Sequence, residues 1–178
     1  MWPFGRRKAQ EPKTDLKARF REGTEALDAG RRGEAIDILH EVVEAEPEHF
    51  AARVNLGTAY YSSGEFVAAV RQFEAAHDLR PDNPKVVLNL AAAKSALDQL
   101  DEAIDLLLSA LEIDPQMRDI HYNLAIAYWR KQRLPEAMAE LEMELALHPD
   151  HQGAKGAAER IRAQAGLPEQ GGTQPEQG

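Results

Sequence analysis

Residues 50–83 read FAARVNLGTAYYSSGEFVAAVRQFEAAHDLRPDN, a stretch of 34 residues whose skeleton occurs four times in the chain. Pro47, Pro81, Pro115 and Pro149 stand 34 apart, and Ala35, Ala69, Ala103 and Ala137 keep the same interval. One residue type at a fixed spacing can be chance. A second type in phase with it marks a structural unit copied down the chain.

Each unit reads as two helices. In the first repeat, 16–49, one helix should cover about Leu16 to Ala29, with Gly30 at the turn. A second should cover about Arg32 to Ala45 and stop before Pro47, because proline cannot donate the helical hydrogen bond and restricts the residue before it. Ala35, Ile38, Leu39, Val42 and Val43 recur at helical spacing and form one apolar stripe. In the second repeat, 50–83, Gly57 sits inside a helix, where glycine costs about 1 kcal/mol against alanine. Its missing side chain is best explained by close approach of the neighbouring helix, with Ala69 in the same role opposite and Tyr60 and Phe73 filling the wider gaps.

The third repeat, 84–117, keeps Leu90, Ala91, Ala103, Leu107, Ala110 and Pro115, but has Asp98 at the turn and Lys94 in the aromatic slot. The fourth, 118–151, keeps Leu124, Ala125, Tyr128, Ala137, Leu141 and Pro149. There Glu144 takes a slot that is apolar in the other repeats, and Pro135 stands near a helix start, where it is tolerated. A last helical run at 152–165 fits an end cap. Ala154, Ala157, Ala158 and Ile161 can cover the stack, while Lys155, Glu159, Arg160 and Arg162 stay wet. Residues 166–178 have too little to bury and are expected to be disordered. Residues 1–15 are expected to be a flexible basic arm, with Trp2 and Phe4 just before Arg6, Arg7 and Lys8; such a segment can rest weakly on an anionic membrane or a partner.

Composition narrows the function. The chain has 178 residues, no cysteine and a formal net charge of −9, which excludes disulfides and thiolate metal sites and argues against nucleic acid as a partner. No apolar run approaches the roughly 20 residues that cross a bilayer. The opening MWPFGRRKAQEPKTD has no apolar core of signal-peptide length, so a cytoplasmic location is expected.

The period and the pattern L-G-x-x-Y followed by A, F, A and P, here Leu56, Gly57, Tyr60, Ala69, Phe73, Ala76 and Pro81, resemble the tetratricopeptide repeat family. The early tryptophan often seen in that family is replaced by Arg19, Arg53, Val87 and His121. The resemblance implies an all-α, right-handed solenoid of antiparallel helix pairs, with four repeats and a capping helix. It also implies that the first helices line a concave groove and the second helices form the convex face. The short, single-module chain resembles bacterial members.

In related solenoids the sixth residue of each repeat points into the groove. Here it is Arg21, Asn55, Asn89 and Asn123. An asparagine amide offers a donor and an acceptor together, so a ladder of them can hold the backbone of an extended peptide without reading its sequence. Around the ladder the expected floor is apolar: Phe20, Val54, Leu88 and Tyr122, then Thr24, Thr58, Ala92 and Ile126, then Leu27, Tyr61, Ser95 and Trp129. Tyr61, Tyr122, Ile126 and Trp129 are the candidate side-chain anchors. Some family members clamp a C-terminal carboxylate; Asn55 and Lys85 match that clamp, but Phe20, Thr24 and Asn89 replace three of its residues. An internal or apolar extended segment is the better match.

No catalytic or metal centre is expected. His148 and His151 span Pro149 with no evident third ligand. Glu136, Glu140, Glu142 and Glu144 read as a solvated helix face, and no phosphate loop or nucleophile elbow is present. The expected function is therefore a non-catalytic adaptor or scaffold that binds a protein or peptide segment, with no cofactor. A self-assembling structural protein and a chaperone for exported substrates are the alternatives.

Overall fold

The apolar-striped segments between the proline and turn positions become helices. The computed structural model describes residues 15–166. Among them are α1 (Leu16–Asp28), α2 (Arg32–Ala45), α3 (Phe50–Ser62), α4 (Phe66–Leu79), α5 (Pro84–Ala96), α6 (Leu100–Ile113), α7 (Ile120–Arg130), α8 (Leu134–Leu147) and α9 (Gln152–Ala165). Short connections make successive helices antiparallel neighbours, and the pairs α1–α2, α3–α4, α5–α6 and α7–α8 stack as a solenoid closed by α9. The expectations for the arm and tail lie outside the described residues, apart from Asp15 and Gly166, which cap α1 and α9.

The stack is curved, and the contacts show which side is inner. Among the described residues α1 touches α3, α3 touches α5, α5 touches α7 and α7 touches α9, whereas α2, α4, α6 and α8 do not touch one another. The odd helices therefore line the concave side. Ala35, Ala69, Ala103 and Ala137 are wholly buried at the crossing of each pair. A Cβ built on Gly57 would stand 2.7 Å from Phe73 Cε1, and one on Gly23 would stand 2.8 Å from Leu39 Cγ. The close approach expected at Gly57 is thus contact with a buried ring.

Two further rows keep the interval. Gly30, Gly64, Asp98 and Gln132 all lie in the left-handed region, with φ of 71°, 80°, 64° and 61°. Each turn between paired helices needs that conformation, which glycine adopts without a Cβ penalty. Asp15, His49, Asn83 and His151 are N-caps whose side chains accept backbone N–H groups of the following helix. Met117 stands in the same row and has no such acceptor. There α7 starts only at Ile120 and is 11 residues long, against 13 for α1, α3 and α5.

The acidic face of α8 corrects the sequence reading. Glu142 is exposed, but Glu144 is fully buried, and Glu140 is half-buried against His121, with its Oε2 2.7 Å from Nδ1. Glu144 enters the core because it replaces the missing cap. Its Oε1 accepts from the Asp119 N–H at 3.2 Å and its Oε2 from the Tyr122 N–H at 3.4 Å, at the start of α7.

Candidate functional site

The asparagine row lies on the concave side, and the three amides differ in what they already hold. Asn55 Nδ2 donates to Thr24 Oγ1 at 3.0 Å, and Asn123 Nδ2 donates to the Asp119 carbonyl at 2.8 Å. Asn89 makes no side-chain hydrogen bond among the described residues. It separates two concavities. One is a small apolar crease lined by Thr58, Tyr61, Phe73 and Ala92. The other is an open depression of about 500 Å³, lined by Lys85, Leu88, Asp114, Met117, Arg118 and Asp119. The late start of α7 places Met117, Arg118 and Asp119 in non-helical backbone at that depression. Tyr61 is 38% exposed, with its ring edge-on to Phe66.

The other candidate anchors pack against α9. The Tyr122 ring lies 4.9 Å from the His151 ring. Trp129 Nε1 donates to Gln164 Oε1 at 2.7 Å, and the Arg160 guanidinium stands 5.6 Å from its ring centre. Ile126 joins the same cluster, around Ala125, Leu141, Ala154, Ala157 and Ile161. All three remain half-buried. The cap helix therefore uses groove aromatics as well as the alanines and isoleucine that the sequence marked for it.

From the second repeat on, charge is sorted by face. Helices α3, α5 and α7 carry no acidic residue, whereas α1 carries Glu22, Glu25 and Asp28. Helices α2, α6 and α8 carry four each, and α4 carries two. In the aromatic slot of the third repeat, Lys94 lies between Glu102 and Glu74, at 2.8 and 3.2 Å. The Glu102 hydrogen bond raises its pKa, against burial, and Glu74 adds to the rise. At the edge of the depression, the hydrogen bond from Arg118 holds the Asp150 carboxyl below the usual carboxylate range.

Asp119, Glu144 and His151 bring one possible ligand atom each within 4.8 Å of one another. These residues are 25 and 32 positions from Asp119, so spacing along a single helix could not reveal them. The imidazole decides what the group does. His151 Nδ1 accepts the Ala154 N–H at 3.1 Å, so the neutral ring carries its proton on Nε2 and donates it to Asp119 Oδ1 at 2.7 Å. While α9 is capped in this way, neither nitrogen has a lone pair for a metal. The cluster is a capping network joining α7, α8 and α9.

Family models described as tetratricopeptide repeat match residues 20–84, and residues 61–116 and 96–161. The chain belongs to the tetratricopeptide repeat family. It is 32% identical over 85 residues to the human "Superkiller complex protein 3", covering 48% of this chain and 5% of that protein. It is 28% identical over 96 residues to the "Peroxisomal targeting signal receptor" of Candida albicans, covering 54% of this chain and 16% of that protein. The chain thus spans a small part of these curated relatives. Among solved structures, a crystal structure of MamA protein superposes with a TM-score of 0.74 at 20% identity, covering 85% of this chain and 83% of that one. The tetratricopeptide repeat architecture and the family match support a non-catalytic interaction scaffold, the role expected from the sequence. Among the described residues no helix is long and apolar enough to cross a membrane.

Proposed function

We propose that the chain holds an extended segment of another protein along its concave groove, against Asn55, Asn89 and Asn123. The observation that carries this reading is the amide row itself, repeated at one register on helices that touch along the inner side. Asparagine is a mediocre helix former, so its recurrence there asks for a reason. Asn89 has both its donor and its acceptor free for a peptide unit, while Asn55 and Asn123 each keep a carbonyl oxygen to accept from one. Tyr61 and the depression beside Lys85 receive side chains of the segment. The likeness to a protein named as a targeting signal receptor supports a recognition role. Where an anionic membrane is present, the basic arm adds a weak peripheral contact through Trp2 and Phe4, in exchange for any contact it makes with the chain's own acidic side, and vesicle binding should be lost in high salt.

The test is affinity capture from the native cell followed by calorimetry with a peptide from the captured partner. Asn89→Ala should weaken binding a few-fold to about tenfold, since a net hydrogen bond is worth about 0.5–1.5 kcal/mol. Stability should barely move, because Asn89 makes no side-chain hydrogen bond among the described residues. Tyr61→Ala should also cost affinity. Glu44→Ala, exposed on the outer helix α2, is the control. Binding that ignores Asn89 and Tyr61 but falls with Glu44 would place the partner on the convex side.

A further inference from the structure

Outside the groove, the outer faces of α6 and α8 combine exposed apolar side chains with unpaired acids. Leu108 is 44% exposed and Met143 is 50% exposed. Leu108 stands on one stripe of α6 with Asp105 and Glu112, three residues before it and four after. Glu142 is exposed beside Met143 on α8. None of these three acids has an ion-pair partner among the described residues. The row shows that this is local. At the position of Leu108 the other repeats have His40, Glu74 and Glu142, so the apolar centre ringed by carboxylates belongs to the third repeat.

A face of that kind fits a segment with apolar groups next to cations. The chain contains one: residues 2–8 read WPFGRRK. We propose that this arm is the occupant of the outer face of α6 and α8. Trp2 and Phe4 supply apolar area for Leu108 and Met143. Arg6, Arg7 and Lys8 answer Asp105, Glu112 and Glu142. The sorting of charge supports the choice, because α3, α5 and α7 carry no acid, and Glu22 and Glu25 of α1 are already paired with Arg19 and Arg21. Self-repulsion within an acidic chain of net charge −9 also falls when three cations settle on its most acidic side.

A fluorescent synthetic peptide of residues 1–13, read by anisotropy and titrated onto the full-length chain with Arg6, Arg7 and Lys8 changed to Ala so that its own arm does not compete, tests this directly. Binding should saturate in low salt and fall steeply toward physiological ionic strength. Asp105→Lys with Glu112→Lys should weaken it at least tenfold. The same change of charge on α2, Asp37→Lys with Glu44→Lys, should change it less than twofold. A peptide with Arg6, Arg7 and Lys8 changed to Glu should recover binding on the Asp105→Lys, Glu112→Lys chain. Leu108→Gln should weaken binding while leaving its salt dependence in place. All the residues substituted on α2 and α6 are exposed, and circular dichroism checks that the helices remain. Sedimentation over a concentration series, with and without Arg6, Arg7 and Lys8, then reads whether the arm docks on its own body or on a second copy; either supports the assignment. No saturable binding, or equal losses from the α2 and α6 reversals, would overturn it.

Discussion

The second and fourth repeats share one register and meet three local demands in different ways. At the crossing of the paired helices, the second repeat sets Gly57 under the large Phe73 ring, whereas the fourth sets Ala125 opposite Leu141. At the start of the first helix, α3 is capped by His49, the residue just before it, whereas α7 is capped by Glu144 from α8. At the turn, the second has Gly64 at φ 80° and the fourth has Gln132 at φ 61°. A repeat stack needs each demand met but does not prescribe the residue, because its stability is the sum of small units and their interfaces. Each difference can be exchanged between the repeats, and the three exchanges differ in expected size.

The crossing should show the largest effect. Phe73 is only 1% exposed, so Phe73→Ala should cost about 3–5 kcal/mol in denaturant melts. Gly57→Ala alone should also destabilise, despite the better helix propensity of alanine, because the new Cβ would lie 2.7 Å from the ring. Gly57→Ala with Phe73→Leu recreates the pair found in the fourth repeat. The double variant should be more stable than the sum of its parts, and a cycle with no coupling would show that the two positions do not share one packing space.

The borrowed cap comes next. Glu144→Ala removes the acceptor for the Asp119 and Tyr122 N–H groups and should cost about 1–3 kcal/mol. If the reason for Glu144 is that Met117 offers no side-chain acceptor to the helix start, then Met117→Asn should rescue much of that loss. Asn83 already caps α5 from the equivalent position, with Oδ1 accepting the Val86 N–H at 3.2 Å. Rescue should also lengthen α7 toward Arg118, which hydrogen exchange at residues 118–120 would register as new protection. Failure of Met117→Asn in the Glu144→Ala chain, with no new protection, would mean that Glu144 serves the network around His151 rather than the helix start.

These differences also mark what could be read from the residues alone. The prolines, the buried alanines and the apolar stripes report backbone limits and local spacing, so the helices and their pairing were legible. The turn position was visible at Gly30 and Asp98, and the helix starts could have been tracked through Asp15, His49 and Asn83 to the break at Met117. Glu144 was misread as solvated although its slot is held by Val42, Ala76 and Ala110 in the other repeats, because the N–H groups that satisfy it lie on another element. The register of the asparagines was legible, but their present bonds were not, since Asn55 and Thr24 are 31 residues apart. Trp129 belongs to the same class, because its partners Gln164 and Arg160 lie on α9, whereas the Tyr122–His151 contact repeats the Phe20–His49 contact three units earlier.

The turn exchange should have the smallest effect and isolates a single cause. No heavy atom outside its immediate neighbours lies within 4 Å of a Cβ built at Gly64, so Gly64→Ala introduces no clash. Its cost is conformational: about 1 kcal/mol for an L-residue held at positive φ, plus or minus the entropy that alanine removes from the unfolded chain. The reverse change, Gln132→Gly, relieves the same strain but adds unfolded-state freedom. It also gives up the bond from Gln164 Nε2 to Gln132 Oε1, at 3.3 Å and exposed. The net should be a gain of only a few tenths of a kcal/mol, up to about 1. Gln132→Asn should lie between, since asparagine tolerates the left-handed region better than glutamine and stays less flexible than glycine when unfolded. The order Gly, Asn, Gln in melting temperature at position 132, with the opposite sign for Gly64→Ala, would show that the two turns share one conformational demand. A melting temperature at 132 that follows side-chain length instead would assign the position to its contact with α9, and the fourth repeat would then differ from the second in its turn as well as in its cap.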